Sequence, residues 1–384
     1  MKTIIVDHDT ETELHHAGRF NNIIPILEAY GCNPSDIIMP TQILEYLHSD
    51  HKIIYTLTAR IPKGHGVDLN NDRHWLDELT TEIPTDIIEL ANKGLLHIAF
   101  FVGEIITITI EQILETVDKQ LLLAGIKKES ITIYVPNFRI HTLCVSHIKF
   151  ISIFEMSYYT YLANSDIPKK DNIIHTVNLD KRNKKFTCLN HLTKTHRLCI
   201  AASLYNSSRH LDGYFSYHKN DEFTMGFPSN IINVIIDTDN FISELPFLID
   251  TSDREVVNYH FIVKKPFFND AYWNFVTESF FAEYYAVTEK TFKPIANLQP
   301  FIIVGTAGSL KALRDMGYET FHSVINEAYD SIENHGRRMQ VLIKLMNQLV
   351  DMSDDEHIKM MKKIKPILEH NQNVFFNKNW KEFL

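Results

Sequence analysis

The chain has 384 residues, 45% of them hydrophobic and 22% charged, proportions that exclude a collagen-like or disordered protein and allow about two to three domains. Lys+Arg 38 against Asp+Glu 48 gives a net charge of −10, which argues against a surface that is basic all over. No apolar run reaches the ~18 residues of a membrane span, and MKTIIVDHDT turns acidic too early for a secretory leader, so a cytoplasmic protein is expected. Cys32, Cys144, Cys188 and Cys199 share no ligand or disulfide spacing; reduced, mostly buried thiols are expected.

In chain order, KTIIV is a β-branched run that ends in Asp7 and reads as a strand. NNIIPILEAYG reads as a helix closed by Gly31, and DIIMPTQILEYLHS as a short mixed segment. KIIYTL, GLLHIAFFV and SITIYVPN have strand length; TIEQILETVDKQLLLAG, between the last two, has helical spacing and stops at Gly125. Buried strands alternating with amphipathic helices predict a parallel sheet covered on both faces. A first Rossmann-type α/β domain over residues 1–165 is therefore expected.

From Pro168 to Arg197 there are eight basic and two acidic residues, a net +6 that leaves −16 for the rest of the chain. Either this is a solvated connector, or it is an electropositive stripe able to hold phosphates. The expected layout is a basic linker at 166–185, a second Rossmann-type domain at 186–345 and a helical tail at 346–384. Within the second domain KKFTCLN is a strand, THRLCIAASLYNSSRHLDG a helix, FSYHK a short strand and QPFIIVG a strong one. AGSLKALRDMG is a helix after a small-residue turn, and the pattern from Ser331 onward is helical.

Several motifs are excluded. There is no GxxxxGK[ST], GxGxxG after the first strand, GxSxG or HExxH. Asp7 and Asp9, like Asp237 and Asp239, form Asp-x-Asp pairs that can chelate a divalent cation or merely cap loops. Glu11 stands where a haloacid-type phosphatase needs Thr.

Residues 275–321 carry the chemistry. Glu289 and Lys290 precede a segment stiffened by Pro294. A carboxylate there can accept both hydroxyls of a ribose, and Lys290 with Lys293 can neutralise a diphosphate; otherwise the two are a surface ion pair beside a core strand. GTAGSLKAL offers backbone N–H groups at a helix start, a second anion site.

TEKTFKPIANLQPFIIVG resembles the donor-binding signature of two-domain (GT-B) glycosyltransferases related to the fucosyltransferase superfamily, especially a branch common in bacteriophages. FTCLNHLTKTHRLCIAASLY and FHSVINEAYDSIEN resemble further segments of that branch, so that the likeness spans roughly residues 183–345. The resemblance implies an α/β, GT-B-like fold, with two Rossmann-type domains facing a cleft and a helical C-terminal tail. It also implies an inverting, nucleotide-sugar-dependent glycosyltransferase with no obligatory metal or other cofactor. Carried over, Glu289 holds the ribose and Lys290 with Arg197 the pyrophosphate. Asn190 and Glu278 line the donor pocket, and Lys293 is a further phosphate contact. Glu104, after the strand IAFFVG, is the expected catalytic base, with Asp7 and Asp9 as alternatives. The viral flavour of the resemblance implies a hydroxymethylated pyrimidine in phage DNA as acceptor, with Lys181, Arg182, Lys184 and Lys185 on the DNA backbone. A glycan or surface polysaccharide is the rival acceptor, and an inactive sugar-nucleotide-binding module the rival to enzyme.

Overall fold

A computed structural model describes residues 3–7, 37–38, 42–47, 52–58, 83–101, 110–135, 137–142, 145–150, 155, 173–218, 236–249, 264–282 and 285–377. The chain divides into two compact units, residues 1–163 with 379–384, and residues 164–378.

The first unit holds a parallel sheet of β1 (Thr3–Asp7), β2 (Ile37–Ile38), β3 (Lys52–Thr58), β4 (His97–Phe101), β5 (Ile131–Val135) and β6 (Ile148–Phe150), in the order β2-β1-β3-β4-β5-β6. Helices α1 (Ile43–Tyr46), α2 (Thr85–Asn92) and α3 (Ile110–Ala124) are described with it. β5 is buried along its whole length, as expected for a strand covered on both faces. Gly125 closes α3 at φ +70°, a left-handed conformation that glycine adopts without strain. The sequence analysis finds β1, β3, β4, β5 and α3, covers β2 and α1 as one short mixed segment, and misses α2 and β6, whose runs are too short to show a period. The helix expected at residues 21–31 lies outside the described residues.

The second unit holds β7 (Lys184–Asn190), β8 (Gly213–Tyr217), β9 (Ala271–Thr277) and β10 (Phe301–Val304), all parallel, in the order β10-β9-β7-β8. Its helices are α4 (Thr195–Asn206), α5 (Asp239–Ser243), α6 (Lys265–Asn269), α7 (Glu289–Ala296), α8 (Ser309–Asp315), α9 (His335–Asp351) and α10 (Asp354–Asn377). α7 packs on β9, β10 and α10, while α9 packs on β7, β10 and α4. Burial of every residue of β10 and nearly all of β9 follows from this cover. The chain leaves β7 for β8 in one direction and β9 for β10 in the other. The order therefore reverses between β7 and β9, just as it does between β1 and β3 in the first unit. Open parallel sheets take their ligands at the carboxyl ends of the strands flanking such a reversal.

Of the segment expected as a basic linker, residues 173–185 are described, and they form a strap packed on the second unit. Ile173, Ile174 and Val177 are buried, and Gln372 of α10 donates to the Ile174 carbonyl at 2.8 Å. Arg182, expected on a DNA backbone, is 3% exposed. Its guanidinium donates to the carbonyls of Ala271 (2.6 Å) and Asn178 (2.8 Å), and burial pushes its pKa down to about 10. It ties the strap to the start of β9 and does not face solvent. Lys181 and Lys185 both pair with Asp354 at the start of α10, at 2.9 and 2.6 Å, and Lys184 donates to the Leu211 carbonyl at 2.9 Å. Lys181 and Lys185 thus tie the start of α10 to the strap and β7, while Lys184 ties β7 to the turn before β8. Cys188 and Cys199 are buried and free, their thiols pushed up to about 12 by burial; Cys32 and Cys144 lie outside the described residues. Among the described residues no helix is long and apolar enough to cross a membrane.

His357, in the first turn of α10, stacks on Tyr272 with ring centroids 4.3 Å apart. Burial, and then the Lys185 ammonium, lowers its pKa from 6.5 to about 4. Between those values the unfolded chain binds a proton that the folded chain refuses. Stability is thus fully present above about 6.5 and declines as pH falls towards 4. Buried His196, whose pKa lies well below 6.5 for the same first reason, adds to the decline. Thermal melting should reveal a falling midpoint over that window. His357→Phe, which keeps the stack, is expected to flatten the curve; an unaltered slope would discount the buried imidazole as its source.

Candidate functional site

The site is built at the carboxyl ends of β7 and β9. Asn190 ends β7 and Thr277 ends β9, and the Thr277 hydroxyl donates to the Asn190 side-chain oxygen at 2.6 Å. Asn190 is buried and its amide turns inward to Cys188 Sγ at 3.4 Å. It pins the two strands at the reversal point.

Glu278 follows directly. It is 1% exposed, and its carboxylate accepts four hydrogen bonds. The donors are Thr288 N (3.0 Å), the Thr288 hydroxyl (2.5 Å), the Thr291 hydroxyl (2.6 Å) and Ser279 N (3.2 Å). No donor is cationic. Burial of the carboxylate is thus compensated by hydrogen bonds that fill its lone pairs, beside the start of a helix. Gly305, past the end of β10, passes so close that a Cβ there would sit 3.3 Å from the Glu278 side chain. Glu278, expected from the sequence in the donor pocket, is thus an internal clamp on the start of α7.

The clamp holds Glu289 and Lys290 in the first turn of α7, with Thr288 as the N-cap. Lys290 Nζ lies 2.8 Å from Glu289 Oε1, 3.0 Å from Ser279 Oγ and 3.4 Å from Thr288 Oγ1. Its side chain is 29% exposed and that of Glu289 10%. A carboxylate and an ammonium thus sit together at the mouth of the reversal point, within reach of a ligand carrying hydroxyls and negative charge. Lys293, half-buried, lies one turn further along α7, and the Asn297 amide donates to its carbonyl at 2.9 Å.

Two expected anion contacts are differently employed. Arg197 is buried in α4, and its guanidinium donates to the carbonyls of Leu192 (3.2 Å) and Glu278 (3.0 Å), with His196 Nε2 also 2.9 Å from the latter. These contacts tie the start of α4 to the loop after β9. The start of α8 is already occupied: Asp330 accepts from Leu310 N at 2.9 Å and Lys311 N at 3.0 Å. Gly308, left-handed at φ 85°, donates to the Asp330 carbonyl at 2.7 Å. An internal carboxylate supplies the anion that the sequence reading leaves to a ligand.

Asp237 and Asp239 behave as a loop cap, the Asp237 carboxylate accepting from Asp239 N at 3.0 Å, and among the described residues no cluster of three metal-ligating side chains occurs. Asp7 closes β1 at the carboxyl edge of the first sheet. Glu104 and Asp9 lie outside the described residues. The sequence reading misses Thr288, Thr291 and Ser279. Thr288 had a signal, a favoured N-cap residue just before Glu-Lys.

No family model matches the chain, and no curated protein matches its sequence. Among solved structures it is similar to an alpha1,3-fucosyltransferase, with 11% identity and a TM-score of 0.36 over 98% of this chain and 90% of that one. A TM-score of that size is a loose likeness of layout and bears no weight on activity.

Proposed function

We propose that the chain is a glycosyltransferase that moves a sugar from a nucleotide sugar to an acceptor hydroxyl, with its donor at the carboxyl ends of β7 and β9. The observation that carries this reading is the Glu289–Lys290 pair, clamped by Glu278 and Ser279 at the reversal point of a parallel sheet. Sheets of this kind bind phosphorylated ligands at that point. The same two residues lie in the segment that resembles a glycosyltransferase donor signature. On this reading Glu289 accepts from the ribose hydroxyls, and Lys290, with Lys293 behind it, neutralises the diphosphate. As the glycosidic bond breaks, negative charge grows on the departing diphosphate, and Lys290 stabilises it. Glu104 remains the proposed base on the acceptor and inversion the proposed outcome. A cytoplasmic site of action and a metal-free reaction belong to the same reading.

For the acceptor, a glycan hydroxyl is favoured over hydroxymethylated DNA. Of the four cations expected on a DNA backbone, Arg182 is buried, and Lys181 and Lys185 share Asp354, which leaves less free positive charge than the sequence count suggests. The phage-branch assignment, and DNA modification with it, rests on the sequence resemblance alone.

The test is mass spectrometry of acceptors incubated with the protein and a panel of nucleotide sugars, with and without EDTA. A glycan panel and a hydroxymethylcytosine-containing duplex serve as acceptors. Gain of one sugar on a glycan, retained in EDTA, is the expected result. Gain on the duplex would restore the DNA acceptor, and loss in EDTA restored by Mn²⁺ would install a metal. Neither binding nor turnover of any nucleotide sugar would sink the reading.

A further inference from the structure

We infer that Glu278 and Thr288 are positioning residues that fix the Lys290 ammonium without touching the donor themselves; the consequence for catalysis rests on the transferase reading above. Two of the three oxygens around Lys290 Nζ belong to Ser279 and Thr288. Both of those residues are hydrogen-bonded to Glu278, Ser279 through its backbone N–H and Thr288 through its N–H and hydroxyl. One buried carboxylate thus sets two walls of the lysine's socket.

The direction of each bond is fixed by chemistry. An ionised carboxylate only accepts, so the single Thr288 hydroxyl proton points to Glu278 at 2.5 Å. The lone pairs of that hydroxyl are then left to face Lys290, whose backbone N lies at 3.5 Å and Nζ at 3.4 Å. Thr291 adds a second hydroxyl to the carboxylate at 2.6 Å and locks the first turn of α7 in rotation. Because all four donors to Glu278 are neutral, the charge of Lys290 is not consumed by the clamp. Among the described residues its ionic partner is Glu289, its neighbour in the first turn of α7, at 2.8 Å. The arrangement holds a cation still while keeping it available. That is the requirement for a group stabilising charge that appears only in the transition state.

The experiment pairs Thr288→Val, which keeps the branched shape and deletes the hydroxyl, with Thr288→Ser, which restores it. The first readout needs no donor: the rate of Lys290 acetylation by acetic anhydride, followed by mass spectrometry on the free protein. Loss of the hydroxyl is expected to raise that rate about threefold or more, and serine to return it to the wild-type value. The second readout is steady-state transfer. Here Thr288→Val should lower kcat about tenfold with little change in KM, as for loss of an interaction made in the transition state. Ser279→Ala, at a half-buried position, removes the nearer of the two hydroxyl contacts. It should raise labelling in the same way even if the valine variant fails to fold. Unchanged labelling in the folded variants, or serine behaving like valine, overturns the positioning role. Wild-type protein that binds no nucleotide sugar overturns the transferase reading instead, and the labelling arm still decides the clamp.

Discussion

Lys290→Ala is expected to lower kcat for sugar transfer about a hundredfold or more, the usual cost of losing one preorganised charge contact to a departing group. The fold should be unaffected. Lys290 is partly exposed, and its ion pair with adjacent Glu289 is of the surface kind worth about 1 kcal/mol or less. The start of α7 keeps its cap from Thr288 and its clamp from Glu278. Circular dichroism and melting temperature should match the wild type while turnover collapses. Lys290→Arg keeps the charge but must fit a planar fork into a socket sized for one ammonium between Ser279 and Glu289. It should recover only part of the rate. Wild-type turnover by the alanine variant would remove Lys290 from the reaction and leave the Glu289–Lys290 pair as a surface ornament of α7.

That pair was legible in the sequence because its signal is local: two opposite charges, a preceding Thr, a stiffening Pro294 and an apolar strand all lie within 17 residues of one another. β10 and β7 were legible for the same reason, as short apolar runs bounded by breakers. α4 was found, but its end was placed too late. The chain leaves the helix after Asn206 through Ser208, left-handed at φ 58°, and a short 3-10 turn at Arg209–Asp212. What sequence could not yield is which charges find partners far along the chain. Lys181 and Lys185 meet Asp354 about 170 residues later, and Arg182 turns inward to carbonyls near residue 270. The charge count of +6 in that window was legible, but the burial of Arg182 and the sharing of Asp354 by two lysines were not, because burial and pairing are tertiary properties. The start of α8 teaches the same lesson, since Asp330, twenty residues on, fills a position that the local sequence leaves vacant.

The largest stability effect is expected at Arg338 of α9, a residue 1% exposed. One guanidinium nitrogen donates to the carbonyls of Ile332 (2.6 Å) and Glu333 (3.2 Å), the other to that of Phe281, with His335 Nδ1 at 3.0 Å. The guanidinium also lies 4.3 Å from the centroid of the Phe281 ring, against which His196 stacks at 5.5 Å. Burial lowers its pKa to about 10, which leaves it charged at neutral pH. Arg338 therefore joins the start of α9 to the loop after β9, the same loop that carries Ser279 to the lysine socket. Arg338→Met fills similar volume but strands buried carbonyls without donors, at about 1–3 kcal/mol each. A total loss of about 3–5 kcal/mol is expected, in line with the breaking of other buried charged contacts. Lysine should rescue little, because one ammonium cannot span three carbonyls held by a fork. Urea denaturation would show the loss as a lower midpoint at constant slope. A loss below about 1 kcal/mol would mean that water replaces the guanidinium at those carbonyls and that the loop is held by Phe281 packing alone.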